Sequence, residues 1–216
     1  LVCLALAVAV SLLYSNSLKN DFTNWDDGMI YANPQIRSLD WKNLIRIFTP
    51  IKGETYQPLR ILSYAVDYSF WKLNPTGYRL TNLFFYMLTS MMVFFVLRHL
   101  SLTFRQNGSQ NSHQRIALFG ALLFVVHPVH VESVTWLAAR KEVLQGFFFF
   151  SGFFFYLRGV KNEGAKKRND LILTLVAFVL AVLSKPSAVV FPAALLVYEV
   201  AARQEGWRDV LKKHRF

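Results

Sequence analysis

The sequence predicts an all-α protein built as a multipass transmembrane helical bundle, and three observations predict it. Apolar residues make up 54% of the 216, with 16% aromatic, well above the globular norm. The 20 Phe are bunched, as in Phe147 to Phe150 and Phe153 to Phe155. A soluble surface cannot absorb such blocks, whereas a bilayer can. The apolar residues also fall into helix-length segments separated by polar stretches, which keeps the mean hydropathy at only +0.30. This composition excludes a disordered chain. The one cysteine, Cys3, excludes a disulfide framework and a cysteine-based zinc site.

The first apolar run covers residues 1–14. It is shorter than the roughly 20 helical residues that cross a hydrocarbon core. No basic leader and no small-residue cleavage site accompany it, so it reads as a first membrane helix cut off at its start. The chain stops at Lys212-Lys213-His214-Arg215-Phe216 without a closing element, as the first part of a longer protein would.

Residues 15–77 form the largest polar stretch, the first outer loop. Within it, Leu39 to Phe48 reads as a short amphipathic helix stopped by Pro50. Pro58 opens a second helix, on which Arg60, Ser63 and Asp67 form a narrow polar stripe at i, i+3 and i+7. Its other faces carry Leu59, Ile61, Leu62, Tyr64, Val66, Tyr68, Phe70 and Trp71. Aromatic helices of this kind lie in the headgroup interface, so the loop is expected to be pinned against the membrane.

Five further apolar segments follow, at 78–97, 116–126, 143–157, 171–183 and 188–202, for about six in all. Several are short and recruit neighbouring polar residues at their ends. Pro192 falls inside the last, where neighbouring helices are expected to satisfy the carbonyl it frees.

Charge orients the bundle. With the first helix leaving the cytoplasm, the inner segments are 98–115, 158–170 and 199–216. They hold 13 of the 24 Lys and Arg and 5 of the 13 acids, a net of +8 out of +11. The outer segments hold the other 11 bases and 8 acids. The basic excess is therefore a positive-inside signal rather than a nucleic-acid footprint.

Three polar clusters fall on the outer side. Trp25-Asp26-Asp27 places two carboxylates next to each other, which suits a general base or a cation site; Asp-Asp-Gly is equally good turn chemistry. His127-Pro128-Val129-His130-Val131-Glu132-Ser133 follows the third segment and continues to Arg140-Lys141-Glu142. Ionisable groups at membrane depth are costly and usually functional. Pro128 breaks the helical spacing a metal would need from His127 and His130, so structural hydrogen bonding is the better reading of the pair. Ser184-Lys185-Pro186 forms a tight turn, where Lys185 either snorkels or joins Arg140 on a phosphate.

These runs, together with Asn33-Pro34, Tyr56-Gln57-Pro58-Leu59 and Asn74-Pro75-Thr76-Gly77-Tyr78, resemble the transmembrane and tetratricopeptide-repeat-containing O-mannosyltransferase family, and its bacterial branch most. The resemblance spans nearly the whole chain, and the run from His127 to Ser133 with the downstream Arg140-Lys141-Glu142 is its most specific part.

The resemblance implies a GT-C glycosyltransferase domain over 1–216, with further helices and a tetratricopeptide domain beyond Phe216. The 199–216 tail shows no repeat of that period. It also implies a polyprenyl- or dolichyl-phosphate sugar donor and a protein or glycan acceptor. The site would face the periplasm from a bacterial inner membrane, or the lumen from an endoplasmic-reticulum membrane.

On that reading Asp26 takes the acceptor proton, and Asp27 positions the acceptor or a divalent cation. Arg140, Lys185 and Arg60 neutralise the departing phosphate, and Glu132 with His127 and His130 shapes the sugar pocket. A metal ligand set is not defined by the sequence. Two alternatives remain: a GT-C enzyme that modifies a lipid or polysaccharide, and a non-catalytic multipass membrane protein such as a transporter. Transport calls for polar groups at the bilayer midplane, whereas these clusters gather at one face.

Overall fold

The computed structural model describes residues 1–53, 55–104 and 108–203. Helices and 3-10 turns account for all of its regular structure, and no strand occurs among the described residues. Helix α1 spans Val2–Tyr14, α2 Gly28–Tyr31, α3 Trp41–Phe48, α4 Pro58–Trp71 and α5 Pro75–Phe104. Then come α6 at Gln110–Val126, α7 at His130–Thr135, α8 at Arg140–Lys161, α9 at Gly164–Ser184 and α10 at Phe191–Arg203.

Among the described residues, three stretches are long and apolar enough to cross a membrane: Val2–Lys19, Pro75–Phe104 and Leu137–Lys161. The first corrects an expectation. Beyond α1 the chain continues as a 3-10 turn over Ser15–Lys19, giving an 18-residue apolar stretch where the sequence had suggested one too short to span. The Ser17 hydroxyl donates to the Tyr14 carbonyl at 2.6 Å, which supplies one of the partners a helix end lacks. Helices α6 and α9 begin with polar turns, and Pro186–Ala202 is apolar but shorter.

Pro192 does not interrupt a helix. A 3-10 turn, Pro186–Val190, precedes α10, so Pro192 falls in the first turn, where no intrahelical N–H is needed. The inner-side tail beyond residue 203, including Lys212-Lys213-His214-Arg215, lies outside the described residues, as do Arg105 to Asn107 of the polar loop before α6.

Helices α1, α5, α6 and α8 share the main core, around Leu6, Val10, Leu83, Tyr86, Ala117, Ala121 and Val143. The Phe blocks of α8 do more than face lipid, because their rings knit the bundle. Phe147 meets Phe85, Phe150 meets Phe124, Phe154 meets Phe95, and Phe149 meets Phe191 at 5.1 Å. Helices α8 and α9 pack as a hairpin. A Cβ on Gly152 would meet Ala177 at 3.3 Å, so a small residue lets these two backbones approach.

The 15–77 loop is a folded cap rather than a strip lying on the membrane. Ile30, Ile36, Ile47, Tyr64, Ala65, Tyr78 and Leu137 form its own apolar core. Asp40 caps α3 by accepting from the Asn43 N–H at 2.8 Å, and Pro58 opens α4 as expected. Helix α4 sits in the cap inside-out. Its polar Asp67 is only 4% exposed, whereas Phe70 is 78% exposed. Apolar groups turn outward where a membrane interface can receive them, and the polar stripe turns into the protein.

Candidate functional site

The inward stripe of α4 explains where Arg140 goes. This first residue of α8 is fully buried, and a buried guanidinium is tolerable only when paired and hydrogen-bonded. It makes an ion pair with Asp67 Oδ2 at 2.6 Å. Its Nε donates to Asn82 Oδ1 at 2.5 Å, Nη2 to the Tyr78 carbonyl at 2.6 Å, and Nη1 to Ser63 Oγ at 3.4 Å. The Tyr64 ring lies 4.9 Å from the guanidinium carbon. Asp67 Oδ1 also accepts from Thr81 Oγ1 at 2.7 Å. Burial pushes the Asp67 carboxyl above its ordinary value, while Arg140 and Thr81 pull it back.

The acidic pair separates in the fold. Asp26 is exposed, and Asp27 is completely buried. Asp27 Oδ2 accepts from the Thr23 N–H at 2.7 Å and the Thr23 hydroxyl at 3.0 Å, and Oδ1 accepts from the Ala138 N–H at 3.1 Å. Asp27 therefore clamps the cap to the 3-10 turn Leu137–Ala139, immediately before Arg140. The turn is present too, with the Ile30 N–H donating to the Asp27 carbonyl at 2.8 Å.

The break between α7 and α8, from Val134 to Ala138, needs partners for its backbone at the end of the bundle. Tyr64 Oη donates to the Leu137 carbonyl at 2.7 Å, and burial holds that phenol protonated far above its ordinary range. Asn82 Nδ2 donates to Val134 and Trp136, and Arg79 Nη1 to Thr135. Arg79 also holds the Asn20 and Asp21 carbonyls, at 3.2 and 2.7 Å. The sequence reading had left Arg79, Asn82 and Asp67 out of the site. Their signal was present: polar residues at i and i+3 heading an apolar helix, and a carboxylate on the α4 stripe.

Gly77 explains the run Asn74-Pro75-Thr76-Gly77-Tyr78. A Cβ here would lie 2.1 Å from the Trp71 ring, so only glycine lets the end of α4 rest on the start of α5.

Of the three candidate phosphate ligands, two have carboxylate partners. Arg140 pairs with Asp67, and Lys185 Nζ pairs with both oxygens of Glu142, at 2.7 and 2.6 Å. Arg60 differs. Its Nε is buried and meets no hydrogen-bond acceptor among the described residues. Burial lowers its guanidinium from the ordinary value, opposed by Tyr64 and by Asp26, whose carboxylate is near enough to favour the charge. On α4 too, but without Arg60 in its lining, an apolar groove of about 250 Å³ runs between α4, α5, α8 and α9, lined by Leu59, Leu62, Phe85, Leu144, Phe148 and Leu180 among others. Ser63, Asp67 and Thr81 form its one polar wall.

The remaining candidates sit at the α6–α7 corner. His127 is exposed and accepts the Val129 N–H on Nδ1 at 3.2 Å. His130 packs on Phe124 at 4.2 Å and near Tyr86 at 5.7 Å. Burial, then the neighbouring His127, lowers its pKa, which disfavours the charged ring. Glu132 is exposed. Among the described residues, no three His, Cys, Asp or Glu side chains gather to hold a metal ion.

Comparison with known proteins now bears on this arrangement. Protein O-mannosyl-transferase TMTC3 of Mus musculus is 30% identical over 203 residues, which is 90% of this chain and 21% of that protein. Its relatives are protein O-mannosyl-transferases. The Homo sapiens TMTC3 protein is 29% identical over the same length, and Drosophila melanogaster Tmtc3 is 27% identical over 221 residues, covering 24% of that protein. These relatives are animal proteins, whereas the sequence had suggested the bacterial branch. The chain spans about a fifth of the length of the mammalian proteins. No family model matches the chain, and no solved structure matches it.

Proposed function

We propose that this protein transfers a sugar, mannose by the name its relatives carry, from a polyprenyl- or dolichyl-phosphate carrier to a Ser or Thr hydroxyl of a protein. The transfer takes place at the cap end of the bundle, on the periplasmic or lumenal face. One observation carries the reading: an exposed carboxylate, Asp26, favours the charge of a guanidinium, Arg60, whose buried Nε has no acceptor among the described residues. Glycosyl transfer from a lipid phosphate needs both signs of charge side by side. The apolar groove lined by Leu59, Leu62 and Val66 of the same helix adds room for an isoprenoid chain.

In this mechanism the acceptor oxygen attacks the anomeric carbon while Asp26 removes its proton. The bond from that carbon to the phosphate oxygen breaks, and the stereochemistry inverts. Arg60 meets the charge that grows on the departing phosphate, the stage at which fixed electrostatics lower the barrier. Asp27 and Arg140 act as positioning residues. Asp27 ties the loop carrying Asp26 to the turn before α8, and Arg140 holds α4, and with it Arg60, against α5. Lys185 joins the phosphate by exchanging Glu142 for it, and Glu132, His127 and His130 border the sugar.

A positioned base contributes about 10²–10⁴-fold. Asp26→Asn in membranes containing the protein and a polyprenyl-phosphate hexose is expected to lower product formation by that factor, with membrane insertion unchanged. Turnover equal to the parent protein would remove Asp26 from the mechanism.

A further inference from the structure

The run Tyr56-Gln57-Pro58-Leu59 contains a residue that the site described so far does not use. Gln57 occupies the position before α4, where Ser, Thr, Asp or Asn would cap the helix, yet its side chain makes no capping bond. It is nonetheless only 7% exposed, and its Oε1 is buried with no hydrogen-bond partner among the described residues. A buried acceptor left unmade is uncommon and calls for an explanation.

Gln57 lines a small cavity of about 40 Å³ in the cap, with Arg46 among the other residues around it. Two of the hydroxyls that line this cavity are turned elsewhere. Thr49 Oγ1 donates to the Ile45 carbonyl at 2.7 Å, and Tyr56 Oη donates to the Phe48 carbonyl at 3.1 Å. The protein thus places an acceptor in the cavity and directs these neighbouring donors away from it. The volume suits a hydroxyl or hydroxymethyl group and not a whole sugar ring.

Position selects the ligand. Gln57 precedes Arg60 by three residues, and its carbonyl accepts the Arg60 N–H at 3.1 Å. Side chains three apart on a helix are neighbours, about 5–6 Å between Cβ atoms. Two buried groups without partners, the Gln57 acceptor and the Arg60 Nε donor, therefore stand one helical turn apart. A sugar phosphate matches this pair, because its phosphate accepts and its ring carries hydroxyl donors one ring-width away. An acceptor polypeptide offers no such fixed combination.

We propose that Gln57 selects the donor sugar, its amide oxygen accepting a hydrogen bond from one hydroxyl of the sugar whose phosphate lies at Arg60. This rests on the transfer reading above and adds a specificity residue to it. A site built to bond a hydroxyl rejects the analogue that lacks it much more strongly than an apolar site does.

The test uses the protein in membranes with a series of polyprenyl-phosphate mannoses, each missing one hydroxyl. The parent protein is expected to discriminate against one of these by about 10- to 100-fold in kcat/KM. In Gln57→Leu that ratio falls to near one for the same analogue and is unchanged for the others. The readout is a ratio within each protein, so a loss of folded material cancels; Gln57→Asn, which retracts the acceptor, gives the same ratio if the leucine variant does not accumulate. Equal discrimination by parent and variants for every analogue, as expected if only a water occupies the cavity, would overturn the assignment. A parent protein that processes no polyprenyl-phosphate sugar at all would instead overturn the transfer reading and this proposal with it.

Discussion

The two ends of the bundle are built in different ways. At the cap end, the polar groups that meet are far apart in the chain. Asp27 reaches Ala138 across 111 residues, Arg140 reaches Ser63 across 77 and Asn82 across 58, and Tyr64 reaches Leu137 across 73. At the other end, pairs close over a single turn. Arg158 meets Asp170 across 12 residues, Asn162 meets Asp170 across 8, and Ser101 meets His113 across 12. Tyr156 with Glu199, 43 residues apart, is the longer reach at that end. The local end fastens helical hairpins. The cap end holds groups from five separate segments in one buried arrangement, which is how a site is preorganised for developing charge.

The contrast can be broken most strongly at Arg140. Arg140→Met leaves Asp67 buried without its cation and should destabilise the fold by about 3–5 kcal/mol. Adding Asp67→Leu should restore much of that loss, since a well-packed apolar pair can replace a buried ion pair. Thermal unfolding of both variants in detergent micelles measures this. If Arg140→Met alone unfolds like the parent, the cap end is not the tertiary keystone described above.

Gly77→Ala comes next, at about 1–3 kcal/mol, because its Cβ overlaps the Trp71 ring and must push α4 off α5. Limited proteolysis of the cap, which should become easier while the far hairpin stays protected, would report it. Equal protection of both regions would show that α4 does not depend on this contact.

The smallest effect belongs to the local end. Arg158 and then Asn162 hold the Asp170 carboxyl below its ordinary pKa. A depressed carboxylate pKa adds stability that is complete above the unfolded value, near 3.9, and is lost as pH falls through the lower folded value. Arg158 is partly exposed, so the pair contributes at most about 1 kcal/mol. Asp170→Asn should therefore be slightly less stable than the parent at neutral pH, with the gap closing below about pH 4. A gap that widened on acidification would contradict the pairing.

Much of this protein was legible in its sequence. The helices, the polar clusters between them, the α3 cap at Asp40 and the start of α4 at Pro58 follow from periodicity and from what proline and aspartate do at helix ends. The site was legible as a set of motifs and not as a set of roles. Asp26 and Asp27 are adjacent and chemically identical, yet one is exposed and the other buried, because only Asp27 has Thr23 and the Ala138 N–H within reach. Arg140 and Lys185 looked like available cations, but each has a carboxylate partner. Arg60, named only for its place on a stripe, is the one of the three with a buried donor, its Nε, that has no acceptor among the described residues.

What the sequence determined by itself is local: which segments are helical, which are apolar enough for a membrane, and which ends carry charge. What only the tertiary structure decided is which polar groups lose their water. That depends on partners tens of residues away, and the same side chain becomes a clamp or a site according to whether such a partner is waiting where the fold puts it.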